Sequence, residues 1–286
     1  MTETPHSRYL RLGAHEMHVT EWGHPEQPPL VLWHGLARTG RDFDELARGL
    51  SHRWHVLCPD TIGRGMSSWS RDPDTDYTIA TYAAHALAML DAYGIGRCAW
   101  LGTSMGGLIG MDIASGPAAE RLSALIVNDI GPELPQAAVD RIVAYAGTLP
   151  DFAGMAEAEA WLRQVYAPFG PAEDSFWQRM AECSVRRRDN GVLTLHYDPA
   201  IVRQFEVHPE DFSTWERYET IATPTQLIWG RQSDLLTEEI ISRMQASGPR
   251  PKVTVYDSCG HAPSLVSAAA IADVSETLDR LSGRTD

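Results

Sequence analysis

Ser104 stands in Gly102-Thr103-Ser104-Met105-Gly106, a G-x-S-x-G pattern with a strand-like apolar run before it and helix-forming residues after it. The reason for this spacing is steric. A strand that turns sharply into a helix strains the corner residue and exposes its side chain, and a Cβ at Gly102 or Gly106 would press on neighbouring backbone. Ser104 is therefore the candidate nucleophile. A serine hydroxyl is weak at neutral pH and needs a base, plus a third group that orients and charge-balances that base. Of eleven histidines, His261 lies in Cys259-Gly260-His261-Ala262-Pro263, between the last strand-like run and the last helix-like stretch. A loop from the sheet edge can reach the serine from there, so His261 is the candidate base. His34, His55, His85, His196 and His208 lack that setting and read as structural or solvated. For the acid, Asp234, four residues past a strand that ends near Gly230, is preferred. Asp129, at the end of the strand after the nucleophile helix, competes with it; otherwise it would cap that strand. Backbone N–H groups of Met105 and Leu36 are the expected oxyanion donors: Met105 begins a helix, and Gly35 lets the chain bend toward the serine.

These groups need a frame. Apolar runs at Met17 to Trp22, Leu30 to Trp33, Trp54 to Pro59, Cys98 to Leu101 and Ala124 to Asn128 read as strands, with helices at Phe43 to Leu50 and Ile79 to Tyr93. Strand and helix in alternation predict an α/β fold, a mainly parallel sheet with helices on both faces. From about Pro132 to Trp215 the strand-like runs give way to helical segments such as Ala156 to Tyr166 and Phe176 to Arg187. Strands resume at Thr225 to Trp229 and Lys252 to Tyr256, before a helix from about Ser264 to Leu281. Residues 1–132 and 216–286 are thus expected to form the core domain, and residues 133–215 an inserted helical cap. Its Trp161, Tyr166, Phe169, Phe176 and Trp177 could line an apolar pocket, although such aromatics more often pack a cap onto its core. Arg186-Arg187-Arg188 reads as a solvated helix end that a substrate carboxylate could in principle meet.

The 286 residues are 43% hydrophobic and 22% charged, which suits a packed soluble protein, and the formal net charge is −14. Scattered negative charge repels phosphate backbones and anionic headgroups, so nucleic acid and membrane are poor partners and a small neutral to apolar molecule a better one. The amino-terminal MTETPHSRYLRLG lacks the features of a signal peptide, and no run is long enough to span a bilayer, so a cytoplasmic location is expected. Cys58, Cys98, Cys183 and Cys259 show no C-x-x-C spacing and read as incidental thiols.

Together, His34-Gly35, Asp60-Thr61-Ile62-Gly63-Arg64-Gly65-Met66-Ser67, the turn at Ser104, Gly230 to Asp234 and Gly260-His261 resemble the α/β-hydrolase family, in its serine-nucleophile, esterase-like branch. The resemblance covers essentially the whole chain. It implies that Asp60 to Ser67 form a structural turn near the site and that serine at position 104 sets the chain apart from haloalkane dehalogenases and epoxide hydrolases, which carry aspartate there. It implies hydrolysis of small carboxylic esters through an acyl-enzyme, with neither metal nor organic cofactor. Carbon–carbon bond hydrolases of vinylogous diketones, lactonases, hydroxyalkanoate oligomer hydrolases, perhydrolases and acyltransferases use closely similar residues. A small-molecule receptor on the same fold is the non-enzymatic alternative.

Overall fold

Consecutive residues of the strand Leu30 to Trp33 point to opposite sides and are buried on both: Leu30 and Leu32 join one apolar layer, Val31 and Trp33 the other. A strand with two dry faces belongs inside a sheet covered by helices on each side. The computed structural model, which describes residues 4–283, has that architecture. Strands β1 (His6–Leu12), β2 (His15–Trp22), β3 (Pro29–Trp33), β4 (His55–Pro59), β5 (Cys98–Thr103), β6 (Leu122–Asn128), β10 (Thr225–Gly230) and β11 (Lys252–Tyr256) form one sheet, ordered β1-β2-β4-β3-β5-β6-β10-β11. Pairing is antiparallel at β1/β2 and β2/β4 and parallel across the rest. Leu46 and Leu50 of helix Asp44–Leu50 and Ala270, Val274 and Leu278 of helix Ala268–Ser282 cover one face. Helices Ile79–Ala92, Met105–Ser115 and Glu238–Ala246 cover the other. Strand β1 escaped the sequence reading because just Leu10 and Leu12 of its seven residues are buried.

Between β6 and β10 the chain builds helices Gln136–Ala146, Met155–Val165 and Asp174–Ser184. It also builds something not expected, a small antiparallel sheet of β7 (Asp151–Phe152), β8 (Val185–Arg187) and β9 (Leu193–Leu195), ordered β7-β9-β8. Two- and three-residue strands are too short to show alternation. The helix expected over Phe176 to Arg187 ends at Ser184, so Arg186 and Arg187 lie in β8 and not at a helix end. Arg186 stacks on Trp69 with its guanidinium carbon 4.9 Å from the ring centre, and Arg188 pairs with Asp151 at 2.6 Å.

The segment leaves and rejoins the rest of the molecule at one place. Glu133 bridges Ser213, and the Thr214 N–H donates to the Pro132 carbonyl at 2.7 Å. Its turn at Ala167–Phe169 is bonded to the His261 loop: Gly260 N–H donates to the Pro168 carbonyl at 2.8 Å and Ser264 N–H to the Phe169 carbonyl at 3.2 Å. Among the described residues no helix is long and apolar enough to cross a membrane, and all four cysteines are unpaired.

Candidate active site

Strands β5 and β6 run in parallel register up to the pair Thr103 and Asn128, and the next residue of each turns away. Ser104 N–H donates to the Asn128 carbonyl at 2.9 Å, and Asp129 N–H to the Ile228 carbonyl of β10 at 2.9 Å. Both residues take positive φ, 53° at Ser104 and 59° at Asp129, a conformation costly for residues with a Cβ and held here by the adjoining strands. The glycines of the turn serve close approach. A Cβ at Gly102 would stand 2.0 Å from the Gly106 carbonyl oxygen, and one at Gly106 2.1 Å from that of Trp33. Ser104 is delivered at the start of helix Met105–Ser115, on the floor of a cavity.

His261 Nε2 lies 2.9 Å from Ser104 Oγ, and His261 Nδ1 2.9 Å from Asp129 Oδ2. With the ring proton on Nδ1, the imidazole donates to the carboxylate and accepts from the serine hydroxyl. Asp129 is wholly buried, and donors meet both of its oxygens: Gly230 N–H at 2.8 Å on Oδ1, Ser233 Oγ–H at 2.6 Å on Oδ2. A buried carboxylate with three hydrogen-bond partners is fixed in position.

Asp234, preferred from the sequence, is not beside His261. The tight turn closed by Ser233 N–H on the Gly230 carbonyl, 2.9 Å, sends the Asp234 side chain outward, where it is half exposed and holds Arg141 through two bonds of 2.7 and 2.8 Å. The position beside His261 Nδ1 is taken by Asp129, and Ser233 bonds it from the loop expected to supply the acid.

The N–H groups of Leu36 and Met105 donate to no other group among the described residues. The carbonyls of Gly35 and Leu36, before and after the Leu36 N–H, are each held by a side chain. His34, buried and dismissed as structural, donates from Nδ1 to the Gly35 carbonyl at 2.7 Å, and its Nε2 accepts from Thr61 N–H at 2.9 Å. Burial lowers its pKa to about 4, so at neutral pH the ring is uncharged and able to accept. Arg64, wholly buried in the Asp60 to Ser67 turn, donates from Nε to the Leu36 carbonyl at 2.8 Å and from Nη1 to the Ile62 carbonyl and the Tyr82 hydroxyl. Its Nη2 lies 3.3 Å from Met105 Sδ. One cation thus touches both residues, at the Leu36 carbonyl and the Met105 sulfur. The signal in the sequence was a lone arginine between two glycines.

The cavity above Ser104 encloses about 810 Å³ of atom-free space counting its open mouth. Tyr166, Phe169 and Phe176 of the 133–215 segment line it. Trp161 and Trp177 pack instead on Phe152 and Phe176, with ring centres 5.8 and 5.1 Å apart. A second, apolar hollow also has Ser104 in its lining, with Met105, Leu108, Leu134, Phe205 and Leu235.

A family model described as the alpha/beta hydrolase fold matches residues 28–268. The chain belongs to the α/β-hydrolase family. The fold and family expected from the sequence are those found, and the family makes the protein a hydrolase. It is similar to the 3-hydroxybutyrate-oligomer hydrolase of Cupriavidus necator, 37% identical over 270 residues, which span 91% of this chain and 92% of that one. Among solved structures, an alpha/beta hydrolase from Novosphingobium aromaticivorans superposes with a TM-score of 0.86 at 30% identity, over 98% of this chain and 99% of that one. A Rickettsia typhi protein gives 0.88 at 29% identity over 97% and 99%.

In this hydrolase Asp129→Asn is expected to lower kcat by roughly 10³- to 10⁴-fold by leaving the imidazole in the wrong tautomer. Asp234→Asn should cost less than about tenfold; steady-state kinetics on one neutral ester ranks the two, and the reverse order would return the acid to Asp234. Because the folded pKa of His34 lies below its ordinary 6.5, its stabilising contribution is complete above pH 6.5 and is lost as the pH falls toward 4. By pH 5 that loss is about 2 kcal/mol. Urea unfolding at pH 7.5 and pH 5 should show that share in the wild type and not in His34→Gln.

Proposed function

We propose that this hydrolase is a serine esterase acting on short 3-hydroxyalkanoate oligomers, with residues 133–215 as the lid over its site. The observation that carries the catalytic part is the hydrogen-bonded chain Ser104, His261, Asp129 opening on a cavity beside two uncommitted amides. Ser104 Oγ attacks the ester carbonyl as His261 Nε2 takes its proton, and Asp129 balances the imidazolium. The carbonyl oxygen becomes an oxyanion facing the N–H groups of Leu36 and Met105. Each such donor typically contributes about 2.7 to 4 kcal/mol to the transition state. As the tetrahedral centre collapses, His261 protonates the departing alcohol and the acyl group remains on Ser104. Water then gives a proton to His261 and attacks the acyl-enzyme, and as the bond to Ser104 Oγ breaks His261 returns that proton to the serine and the acid is released.

The similarity to the C. necator 3-hydroxybutyrate-oligomer hydrolase over nearly the full length of both chains supports the substrate class. So does the shape of the site. An oligoester has repeating units on both sides of the bond to be broken, and two hollows share Ser104 in their linings. A simple ester of a small alcohol would need one.

Purified protein should convert the 3-hydroxybutyrate trimer to shorter acids, one new carboxyl group appearing per bond cleaved, and Ser104→Ala should lose at least roughly 10⁴-fold of that rate while folding normally. Titrated acid release and product chromatography measure both. Retained turnover in Ser104→Ala would remove the serine mechanism, and activity on p-nitrophenyl butyrate with none on the trimer would remove the oligomer.

A further inference from the structure

The helix Gln136–Ala146 presents Arg141, Ile142 and Tyr145 to the cavity above Ser104. Arg141 and Tyr145 are one helical turn apart, on one face. The guanidinium gives Nε–H and one Nη2–H to Asp234, at 2.7 and 2.8 Å, and makes no other hydrogen bond among the described residues. Of its five N–H donors three remain, two of them, one on Nη1 and one on Nη2, along the edge that those nitrogens form. The Tyr145 hydroxyl beside it is likewise without a hydrogen bond among the described residues, in the same wall. Asp234 does not belong to that wall. Of the pair, the cation lines the cavity and the anion does not.

The second cation of the cavity differs. Arg38 is buried and holds Asp42 with bonds of 2.8 and 2.6 Å, and Asp42 lines the cavity with it, so that pair is neutral where a ligand would meet it. Arg186, Arg187 and Arg188, the cluster noted in the sequence as a possible partner for a carboxylate, do not line this cavity. The excess positive charge in the wall is that of Arg141. Across the whole surface the charge of −14 opposes an anion, but beyond about 8 Å physiological salt screens it, so the local group decides.

We infer that Arg141 is the anchor for a carboxylate on the substrate, bound through the free Nη1 and Nη2 edge, and that Asp234 is the positioning residue that holds the guanidinium toward the cavity. The inference rests on the oligoester reading, since every free hydroxyalkanoate oligomer ends in such a carboxylate. A planar fork meeting a carboxylate by two parallel bonds adds orientation as well as attraction. An exposed ion pair contributes little to folding stability, so holding Arg141 in place gives Asp234 a purpose that stability alone does not.

The test compares kcat/KM for the 3-hydroxybutyrate trimer as free acid and as its methyl ester, in the wild type, Arg141→Gln, Arg141→Lys and Asp234→Asn. The acid-to-ester ratio should fall about tenfold in Arg141→Gln, chiefly through a higher KM for the acid. It should fall less in Arg141→Lys, which keeps the charge and loses the fork, and in Asp234→Asn, which frees the fork from its support. Raising salt should raise KM for the acid in the wild type and leave the ratio of Arg141→Gln flat. Hydrolysis of both trimers with a ratio that Arg141→Gln does not change would overturn the anchor while leaving the oligoester reading intact. Failure of the wild type to cleave either trimer would overturn both.

Discussion

The hydrogen bond from Ser104 N–H to the Asn128 carbonyl locks the last rung between two neighbouring parallel strands, and the site depends on it. It places the first residue beyond β5, the serine, next to the first residue beyond β6, the aspartate, at one end of the sheet. Each then turns through a positive φ at the top of the sheet, so hydroxyl and carboxylate face a common space. His261 comes down between them from the loop after β11, and its two ring nitrogens bridge a gap that the strand spacing has already set. A shift of one residue in the β5/β6 register would separate the groups and turn every side chain of the strand to the wrong layer.

Around that rung the structure spends its buried polar groups on holding backbone still. Gly230 N–H and Ser233 Oγ–H fix Asp129, His34 and Arg64 hold the carbonyls of Gly35 and Leu36, and the Pro168 and Phe169 carbonyls hold the His261 loop. Preorganisation of this kind is what electrostatic stabilisation of a transition state requires, because donors already in place need not reorganise as charge develops. It also explains how the 133–215 segment, whose sequence says least, bears on the site: its Ala167–Phe169 turn is bonded to the loop that carries His261.

Much of this was legible in the sequence because it is local. The turn at Ser104 is written in two glycines whose added Cβ atoms would stand 2.0 and 2.1 Å from backbone oxygens, and the sheet in apolar runs buried on both faces. Asp129 and Asp234 could not be ranked that way. Both follow strands closely, and the choice depends on the register between β5 and β6 and on the direction taken after the turn at Gly230, neither of which is a property of one segment. The strands β7, β8 and β9 were invisible for a related reason, being too short for a period to repeat. Arg64 and His34 were passed over because their work is done on backbone carbonyls, and a sequence does not show which carbonyls lie opposite.

The central claim is that the frame of strand ends has made one serine nucleophilic. Incubation of the folded wild-type protein with a fluorophosphonate, followed by peptide mass spectrometry, tests it most directly. The account predicts a single adduct on the peptide containing Ser104, formed far more slowly in His261→Ala; an adduct on another residue, or none in the folded protein, would contradict it.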